Sequence, residues 1–298
     1  MVDCSMNIIK LENRTEDGEK LEATFTPDHG LNLISFKRGN IEVIEQSTWN
    51  LFEERFAGLG ALIGPHFHHR RAESLPKIAD ETLFPHIGRV KAKGTQDPFS
   101  HGIARYAPWQ TTFTQTQLNG LLTGKDLWNG VLLSTLEGQN FKFELQADLT
   151  PTGLSLQLSI ISDTNSLVGI HYYYSLPNHR GKITSFVQDK VRIKDCLQSI
   201  PSSWSFDLKQ QLVFDLKEEA DFTFRPFPDP LMGEILLETD TYSLKTRYQS
   251  VCEENCWQLY HPKDAPFVCI EPISSQNPKH PNLNISQLQI YLEILPLS

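Results

Sequence analysis

The sequence predicts an all-β protein, a large antiparallel β-sandwich with few short helices. The first observation is an alternation of apolar and polar residues. It is typical of strands that have one face on a core and the other toward water or a cleft. The second is that clusters of turn-forming residues separate these segments. The alternating segments are residues 21–25, 31–36, 141–145, 154–160 and 288–294.

The separators and the scarcity of helical patterns support the same fold class. Glycine, proline, asparagine and aspartate concentrate between the alternating segments, where they favour turns. Helical periodicity is rare, and we expect one short helix around residues 48–56. The separating segments are residues 27–30, 38–40, 137–140 and 150–153.

We predict that residues 1–298 form a single domain. No linker rich in glycine, serine or proline divides the chain, and no short repeat is visible. A single all-β domain of this length is common. The stretch from residue 65 to residue 98 is expected to be rich in loops, and long loops on β scaffolds often carry the functional site.

Composition limits the partners. The net charge of −9 argues against nucleic acid, because phosphate binding requires a basic surface. The apolar run 56–65 is too short to span a bilayer, and the first residues lack the pattern of a secretory signal. Five cysteines without a regular framework are typical of reduced thiols, so we expect a cytoplasmic protein. We expect it to be either a monomer or a homodimer.

Three residues in separate segments have side chains suited to acid and base chemistry. Glu271 ends the apolar run 267–270, where burial would raise its pKa toward the range of a general base. His171 precedes three tyrosines and can donate a proton or stack beside a sugar ring. His101 precedes Gly102, which permits close approach of a ligand. Taken singly, they are more readily explained as a strand-end glutamate in an ion pair, a satisfied core histidine and a solvated loop residue.

Cations and further histidines add candidates. Arg89 follows Gly88 in a segment rich in turn residues, and a guanidinium can hold hydroxyls or an oxyanion. His66 and His68 share a face if their segment is extended, which is a plausible spacing for metal ligands. Arg70 and Arg71 follow, and this pair is suited to an anionic group such as a sugar phosphate.

In this order and context the segments resemble the aldose 1-epimerase (galactose mutarotase-like) family. The ordered set spans most of the chain, and each motif is short. Residues 25–36 resemble the opening hairpin of the family, and residues 84–90 resemble the loop with the substrate-binding arginine. The histidine and glutamate motifs are similar to residues 101–105 with Trp109, 169–174 and 270–272.

The resemblance implies the family's β-supersandwich and the interconversion of α and β anomers of an aldohexose. Glu271 would be the base and His171 the acid, and His101 would orient hydroxyl groups as a third catalytic residue. The implied ligand is a small sugar, with no metal and no cofactor. Substrate binding would fall to Arg89 or its rival Arg71, to Asp221, and to the aromatic residues Tyr173 and Trp109.

Two departures leave the substrate open. The family usually has proline and then Tyr-Phe after the second histidine, where this chain has Tyr172, Tyr173 and Tyr174, and residues 71–83 resemble an insertion. One alternative is a hexose-6-phosphate mutarotase that holds phosphate with Arg70, Arg71 or Arg180. Another is a non-catalytic carbohydrate-binding protein on the same scaffold, and a third is a metal-dependent β-sandwich or cupin-like enzyme using His66 and His68.

Overall fold

The computed structural model describes residues 6–70 and 72–297, and these form two large antiparallel sheets packed face to face. Strands are numbered in chain order. Sheet A runs in the order β1-β2-β3-β5-β12-β22-β21-β18-β14-β15, with β4 paired to β3. Its strands are β1 (Ile9–Arg14), β2 (Lys20–Thr26), β3 (Asn32–Arg38), β4 (Ile41–Glu42), β5 (Gly60–Ile63), β12 (Gly169–Ser175), β14 (Val187–Ile193), β15 (Cys196–Ser199), β18 (Ala220–Pro226), β21 (Cys256–His261) and β22 (Phe267–Ile273).

Sheet B runs in the order β16-β17-β13-β19-β20-β23-β11-β10-β7-β6. Its strands are β6 (Gln110–Phe113), β7 (Gln117–Thr123), β10 (Phe141–Thr150), β11 (Gly153–Ser162), β13 (Lys182–Ser185), β16 (Ser205–Phe206), β17 (Leu212–Asp215), β19 (Met232–Glu238), β20 (Tyr242–Ser250) and β23 (Ile285–Pro296). A separate pair, β8 (Leu127–Trp128) and β9 (Val131–Leu132), forms a small ribbon.

The predicted fold class is confirmed, and each alternating segment lies in a strand of one of the two sheets. In β11 the side chains of Leu154, Leu156 and Leu158 are fully buried, whereas that of Gln157 between them is exposed. The buried faces of sheets A and B enclose one large apolar cluster. Removal of this apolar surface from water is the main driving force for packing one sheet on the other.

Helices are few and short: α1 (Trp49–Arg55), α2 (Pro85–Ala92) and α3 (Leu133–Glu137), with 3₁₀ turns at Gln46–Thr48, Ala72–Ser74, Glu81–Leu83, Ile103–Arg105 and Pro177–His179. Helix α1 is the helix predicted around residues 48–56. Helix α2 lies in the stretch expected to be loops. It begins with Pro85 at its first position, which suits a helix start, and it buries Ile87 and Val90. Eight residues are too few for a helical period to stand out in the sequence.

No helix among residues 6–70 and 72–297 is long and apolar enough to cross a membrane. The four cysteines in this part of the chain are unpaired thiols: Cys196, Cys252, Cys256 and Cys269.

Candidate active site

A cavity of about 350 Å³ opens on the face of sheet A that points away from sheet B. The alternation of the strands creates this face. Tyr172 and Ile270 point into the core between the sheets, so the neighbouring His171 and Glu271 point to the opposite side. Loops from residues 67–69 and 95–106 cover the cavity.

The strand register places functional side chains in a row across five neighbouring strands. Because Tyr172 pairs with Ile270 and Tyr173 with Cys269, His171 stands opposite Glu271. Glu271 in turn pairs with Gln258, which pairs with Thr223 on the next strand. Thr223 pairs with Arg192 near the sheet edge. The complete row is His171, Glu271, Gln258, Thr223 and Arg192, and all five line the cavity.

A second row lies two residues along each strand and therefore on the same face. Tyr173 pairs with Cys269, Cys269 with Tyr260, and Tyr260 with Asp221. Tyr173 stacks on His171 with ring centroids 5.0 Å apart. Asp221 accepts a hydrogen bond of 2.9 Å from the Gln258 amide and lies exposed at the cavity rim.

His171 and Glu271 form a close pair at the cavity floor. The His171 Nε2 and Glu271 Oε1 atoms are 3.3 Å apart, and the two residues are 7% and 1% exposed. Neither carboxylate oxygen of Glu271 has a hydrogen-bond partner within the described part of the chain. A buried carboxylate without partners costs free energy, so these oxygens are available to a ligand hydroxyl.

Burial sets the protonation of this pair. It raises the pKa of Glu271 well above its usual range, and the Arg105 guanidinium opposes that shift only in part. Burial, reinforced by Arg105, lowers the pKa of His171 to about 3. Because the pKa of Glu271 is raised and that of His171 is lowered, a proton shared by the pair resides on Glu271 rather than on His171.

His101 enters the cavity from a strained turn. Its φ is +66° and that of Gly102 is +89°, both in the left-handed region. A Cβ on Gly102 would lie 2.0 Å from the Gly64 carbonyl oxygen, so only glycine permits this packing. The His101 ring meets the His171 ring edge to face at 5.1 Å. Its Nδ1 accepts a hydrogen bond from the His68 main-chain N–H, which leaves Nε2 to carry the proton of the neutral ring.

Arg105, four residues later, is the buried cation of the site. It is 3% exposed and lines the cavity, and its Nη1 donates to the Ser100 carbonyl at 3.4 Å. Its Nε and Nη2 have no partner among the described residues. Glu271 and Arg105 thus present unpaired acceptors and donors to the same enclosed space, an arrangement that a polyhydroxyl ligand can satisfy.

A buried ionic network lies behind the turn that carries His101 and Arg105. His66 Nδ1 lies 2.6 Å from Glu137 Oε1, and His66 Nε2 lies 3.5 Å from Asp97. Arg70 binds both carboxylate oxygens of Asp97 at 2.8 and 3.0 Å. The other Glu137 oxygen accepts from the Ile103 main-chain N–H at 2.9 Å. The network thereby fixes the backbone on both sides of His101.

Opposite charges shift the pKa values of His66 and Asp97 toward their ionised forms. Burial alone would lower the pKa of His66, but Glu137 and Asp97 outweigh it and the net shift is upward. Burial alone would raise the pKa of Asp97, but hydrogen bonds from His66 and Arg70 lower it well below its usual range. Both shifts favour the charged forms of His66 and Asp97, which lie close together in a water-poor environment.

One group of residues has the donors to hold a metal ion. The ligand atoms of His171, Cys269 and Glu271 lie within 4.8 Å of one another. Burial and the adjacent Glu271 raise the pKa of the Cys269 thiol well above its usual range, so a metal would have to displace its proton. The pair considered from the sequence, His66 and His68, does not form such a group. His66 is held by Glu137, and His68 stacks on His101 at 5.8 Å.

The cavity brings together five of the eight residues predicted to form the site: Glu271, His171, His101, Tyr173 and Asp221. Arg71 lies outside the described residues. The cavity also contains residues that the sequence analysis did not identify. Gln258 and Tyr260 belong to the alternation of β21, and Arg105 lies in the quoted histidine motif, but the sequence did not show that these side chains face one space.

The structure corrects the expected placement of two predicted residues. Arg89 lies on the exposed side of α2, where its Nε donates to the Glu54 carbonyl at 2.6 Å, outside the cavity. Trp109 is 5% exposed, packs on Phe143, and donates from its indole N–H to the Ala104 carbonyl. Trp109 stabilises the turn that carries Arg105, and because it is buried its ring does not face a ligand in the cavity.

Comparison with known proteins places this architecture. No protein-family model matches the chain, and no curated protein matches it. Solved structures match over nearly the whole length at low sequence identity. A galactose mutarotase-like protein from Lactobacillus casei is 13% identical with a TM-score of 0.67, over 97% of this chain and 100% of its own.

Two further structures agree with this likeness. A galactose mutarotase related enzyme from Lactobacillus acidophilus is 14% identical, with a TM-score of 0.62 over 96% of this chain and 97% of its own. The Slr1438 protein from Synechocystis sp. PCC 6803 is 13% identical, with a TM-score of 0.67 over 98% and 96%. The chain therefore has the galactose mutarotase-like sandwich fold.

Proposed function

We propose that this protein is a carbohydrate isomerase that interconverts the α and β anomers of an aldohexose. The observation that carries the proposal is the buried pair of His171 and Glu271, 3.3 Å apart, with both carboxylate oxygens unpartnered at the floor of a cavity. The galactose mutarotase-like fold supports the same reaction class.

The reaction requires one proton acceptor and one proton donor. Glu271 removes the proton from the anomeric hydroxyl while His171 protonates the ring oxygen, and the bond between that oxygen and the anomeric carbon breaks. Rotation about the next carbon–carbon bond presents the other face of the aldehyde, and the reverse transfers close the ring. A positioned acid or base contributes about 10²–10⁴-fold to the rate.

The proton count of the pair suits this cycle. The reactive state, with ionised Glu271 and protonated His171, holds the same single proton as the state that the pKa shifts favour, with protonated Glu271 and neutral His171. Transfer through the substrate converts one state into the other, so protonated Glu271 with neutral His171 is the state reached when the ring is open. His101 and Arg105 supply donors for the hydroxyls and for developing negative charge on oxygen.

The test is exchange NMR or polarimetry on freshly dissolved α-glucose, α-galactose and glucose 6-phosphate. Wild type should accelerate the approach to anomeric equilibrium, and Glu271→Gln should abolish that acceleration while sugar binding persists. Glu144→Gln, a change at an exposed carboxylate on sheet B, is the matched control. Near-normal rates with Glu271→Gln would show that Glu271 is not the base. Sugar binding without acceleration by wild type would favour the non-catalytic carbohydrate-binding alternative.

A second candidate, a hexose-6-phosphate substrate, is favoured by the cations of the cavity. Arg55, Arg105 and Arg192 line it, and each has a buried Nε without a partner among the described residues. Lys194 and Lys279 also line it, and Lys279 is paired with an aspartate. An anionic group on the sugar would satisfy these donors.

Two of the three arginines that the sequence offered as phosphate ligands lie elsewhere, and the third, Arg71, lies outside the described residues. Arg70 is occupied by Asp97, and Arg180 is exposed and outside the cavity. Arg192→Ala should raise KM for glucose 6-phosphate by about tenfold or more and leave KM for glucose unchanged. The affinity for the phosphorylated sugar should also fall as salt rises. Equal effects on both sugars would argue against a phosphate subsite at Arg192.

A further inference from the structure

The outer face of sheet B carries a row of amide side chains, on the side of the sandwich opposite the cavity. The register of five adjacent strands builds it. Asn119 pairs with Gln146, Gln146 with Gln157, Gln157 with Gln289, and Gln289 with Gln249. All five side chains are exposed. With strands about 4.8 Å apart, four intervals give a row about 19 Å long.

Four of the five amides are free to bind a ligand. Gln146 donates to Asp148 at 2.9 Å. The side chains of Asn119, Gln157, Gln249 and Gln289 make no hydrogen bond to any residue in the described ranges. An amide offers both donors and an acceptor, as does the hydroxyl group of a sugar.

The row runs through two depressions in the surface. One, of about 560 Å³, includes Asn119, Gln146 and Gln157, and the other, of about 710 Å³, includes Gln249 and Gln289. Because Gln157 and Gln289 are direct cross-strand partners, the two depressions lie next to each other along the row, and together they are called the groove. Apolar groups line the second depression: Phe227 (54% exposed), Met232 (49% exposed) and Tyr291.

The cations beside the row are paired with carboxylates within the protein. Lys142 pairs with Glu144 at 2.7 Å, and Arg247 pairs with Glu293 at 3.3 Å. The Arg247 guanidinium also lies 4.9 Å from the Tyr291 ring centroid. An anionic ligand would find no free cation at these positions, and the carboxylates Asp148, Asp229 and Glu234 beside the row would repel it. A neutral polyhydroxyl chain matches the amides, can donate hydrogen bonds to these carboxylates, and can pack its apolar ring faces on Phe227.

We propose that this row, with Phe227 and Tyr291 at its end, binds a neutral linear oligosaccharide several pyranose units long. The groove is separate from the cavity, so the proposal does not depend on the isomerase activity. Binding here would hold the protein on a glycan chain while the cavity remains open to a small sugar.

The test is isothermal titration of the full chain with neutral hexasaccharides: maltohexaose, cellohexaose, xylohexaose and mannohexaose. At least one should bind wild type, and the double substitution Gln157→Ala with Gln289→Ala should weaken it at least tenfold. Gln198→Ala, at an exposed glutamine on sheet A, should bind as wild type does, and so should Glu271→Gln. Exposed substitutions of this kind change stability little, so folded variants are expected.

Three outcomes would overturn the proposal. The first is that none of the four hexasaccharides binds wild type at millimolar concentration. The second is that binding persists in the double variant but is lost in Glu271→Gln, which would place the oligosaccharide in the cavity. The third is concentration-dependent dimerisation in sedimentation that the double variant abolishes, which would make the row a contact between two copies of this chain.

Discussion

The Glu137 carboxylate accepts a hydrogen bond of 2.9 Å from the main-chain N–H of Ile103, two residues beyond His101. Its other oxygen holds His66 at 2.6 Å. A residue on α3 thus positions the turn that presents His101 and Arg105. This contact links the stability of the buried network to the geometry of the candidate active site.

Glu137→Ala should destabilise the fold and distort the site. Removing one partner of a buried ion pair leaves uncompensated charge and costs about 3–5 kcal/mol. We expect that loss in denaturant unfolding, together with a fall in kcat. Glu144→Ala, at an exposed glutamate, should change stability by about 0.5 kcal/mol or less. Equal stability of the two variants would contradict the role given to the network.

The stabilisation from His66 should depend on pH. Since the folded-state pKa of His66 is raised above its unfolded value of 6.5, its contribution is complete below pH 6.5. It is lost as pH rises through the folded-state pKa. The difference in unfolding free energy between wild type and Glu137→Ala should therefore shrink above pH 6.5, and a pH series of unfolding curves measures it. A difference that stayed constant or grew with pH would show that His66 is not held protonated.

Glu271→Gln should stabilise the protein at alkaline pH. The raised folded-state pKa of Glu271 means that the folded protein binds this proton more tightly than the unfolded chain, whose value is about 4.5. Wild-type stability therefore falls relative to the variant as pH rises above 4.5. Thermal unfolding should show equal Tm values near pH 4 and a higher Tm for the variant at pH 8. About 1 kcal/mol corresponds to about 2–4 °C in a large domain. A lower Tm for the variant at pH 8 would mean that Glu271 is ionised and satisfied in the fold.

The proposed activity should depend on pH in a bell shape, because the pair must hold one proton. Protonation of His171, whose pKa burial lowers to about 3, removes activity on the acid side. Loss of the last proton from the pair, governed by the raised pKa of Glu271, removes it on the basic side. A kcat/KM profile from pH 3 to pH 10 measures both limbs. An acid limb near pH 6.5 would indicate a solvated histidine instead.

Gly30→Ala should disturb the site from beneath. A Cβ at Gly30 would lie 2.0 Å from the Arg105 carbonyl oxygen, and its φ is +70°. Steric overlap and the left-handed backbone together should cost about 2–4 kcal/mol of unfolding free energy and lower kcat. Gly18→Ala is the matched control, because its φ is +86° and, apart from its chain neighbours, no atom of the described residues lies within 4 Å of the added Cβ. It should cost only about 1–2 kcal/mol and leave kcat unchanged. Similar kcat values for the two variants would show that Gly30 does not affect the geometry of the site.

The predictions from sequence were most accurate where local patterning decides structure. Alternation along residues 154–160 sets which side chains enter the core, because successive strand residues face opposite sides of a sheet. In the structure the same rule puts His171, Tyr173 and Glu271 on the face opposite to Tyr172 and Ile270. It does not reveal strand order, and so it could not show that Gln258, Thr223 and Arg192 continue the row that begins at His171.

The sequence by itself determined the all-β class, the position of α1 and the segments that supply His101, His171 and Glu271. Only the tertiary structure decided which cations line the cavity. The Arg89 side chain donates a hydrogen bond to the Glu54 carbonyl outside the cavity. Arg105 lies inside the cavity because Glu137 and Gly30 hold its turn in place. The physical reason is that a guanidinium reaches several ångströms from its backbone. Its direction depends on burial and on partners far away in the chain, which local sequence patterns do not encode.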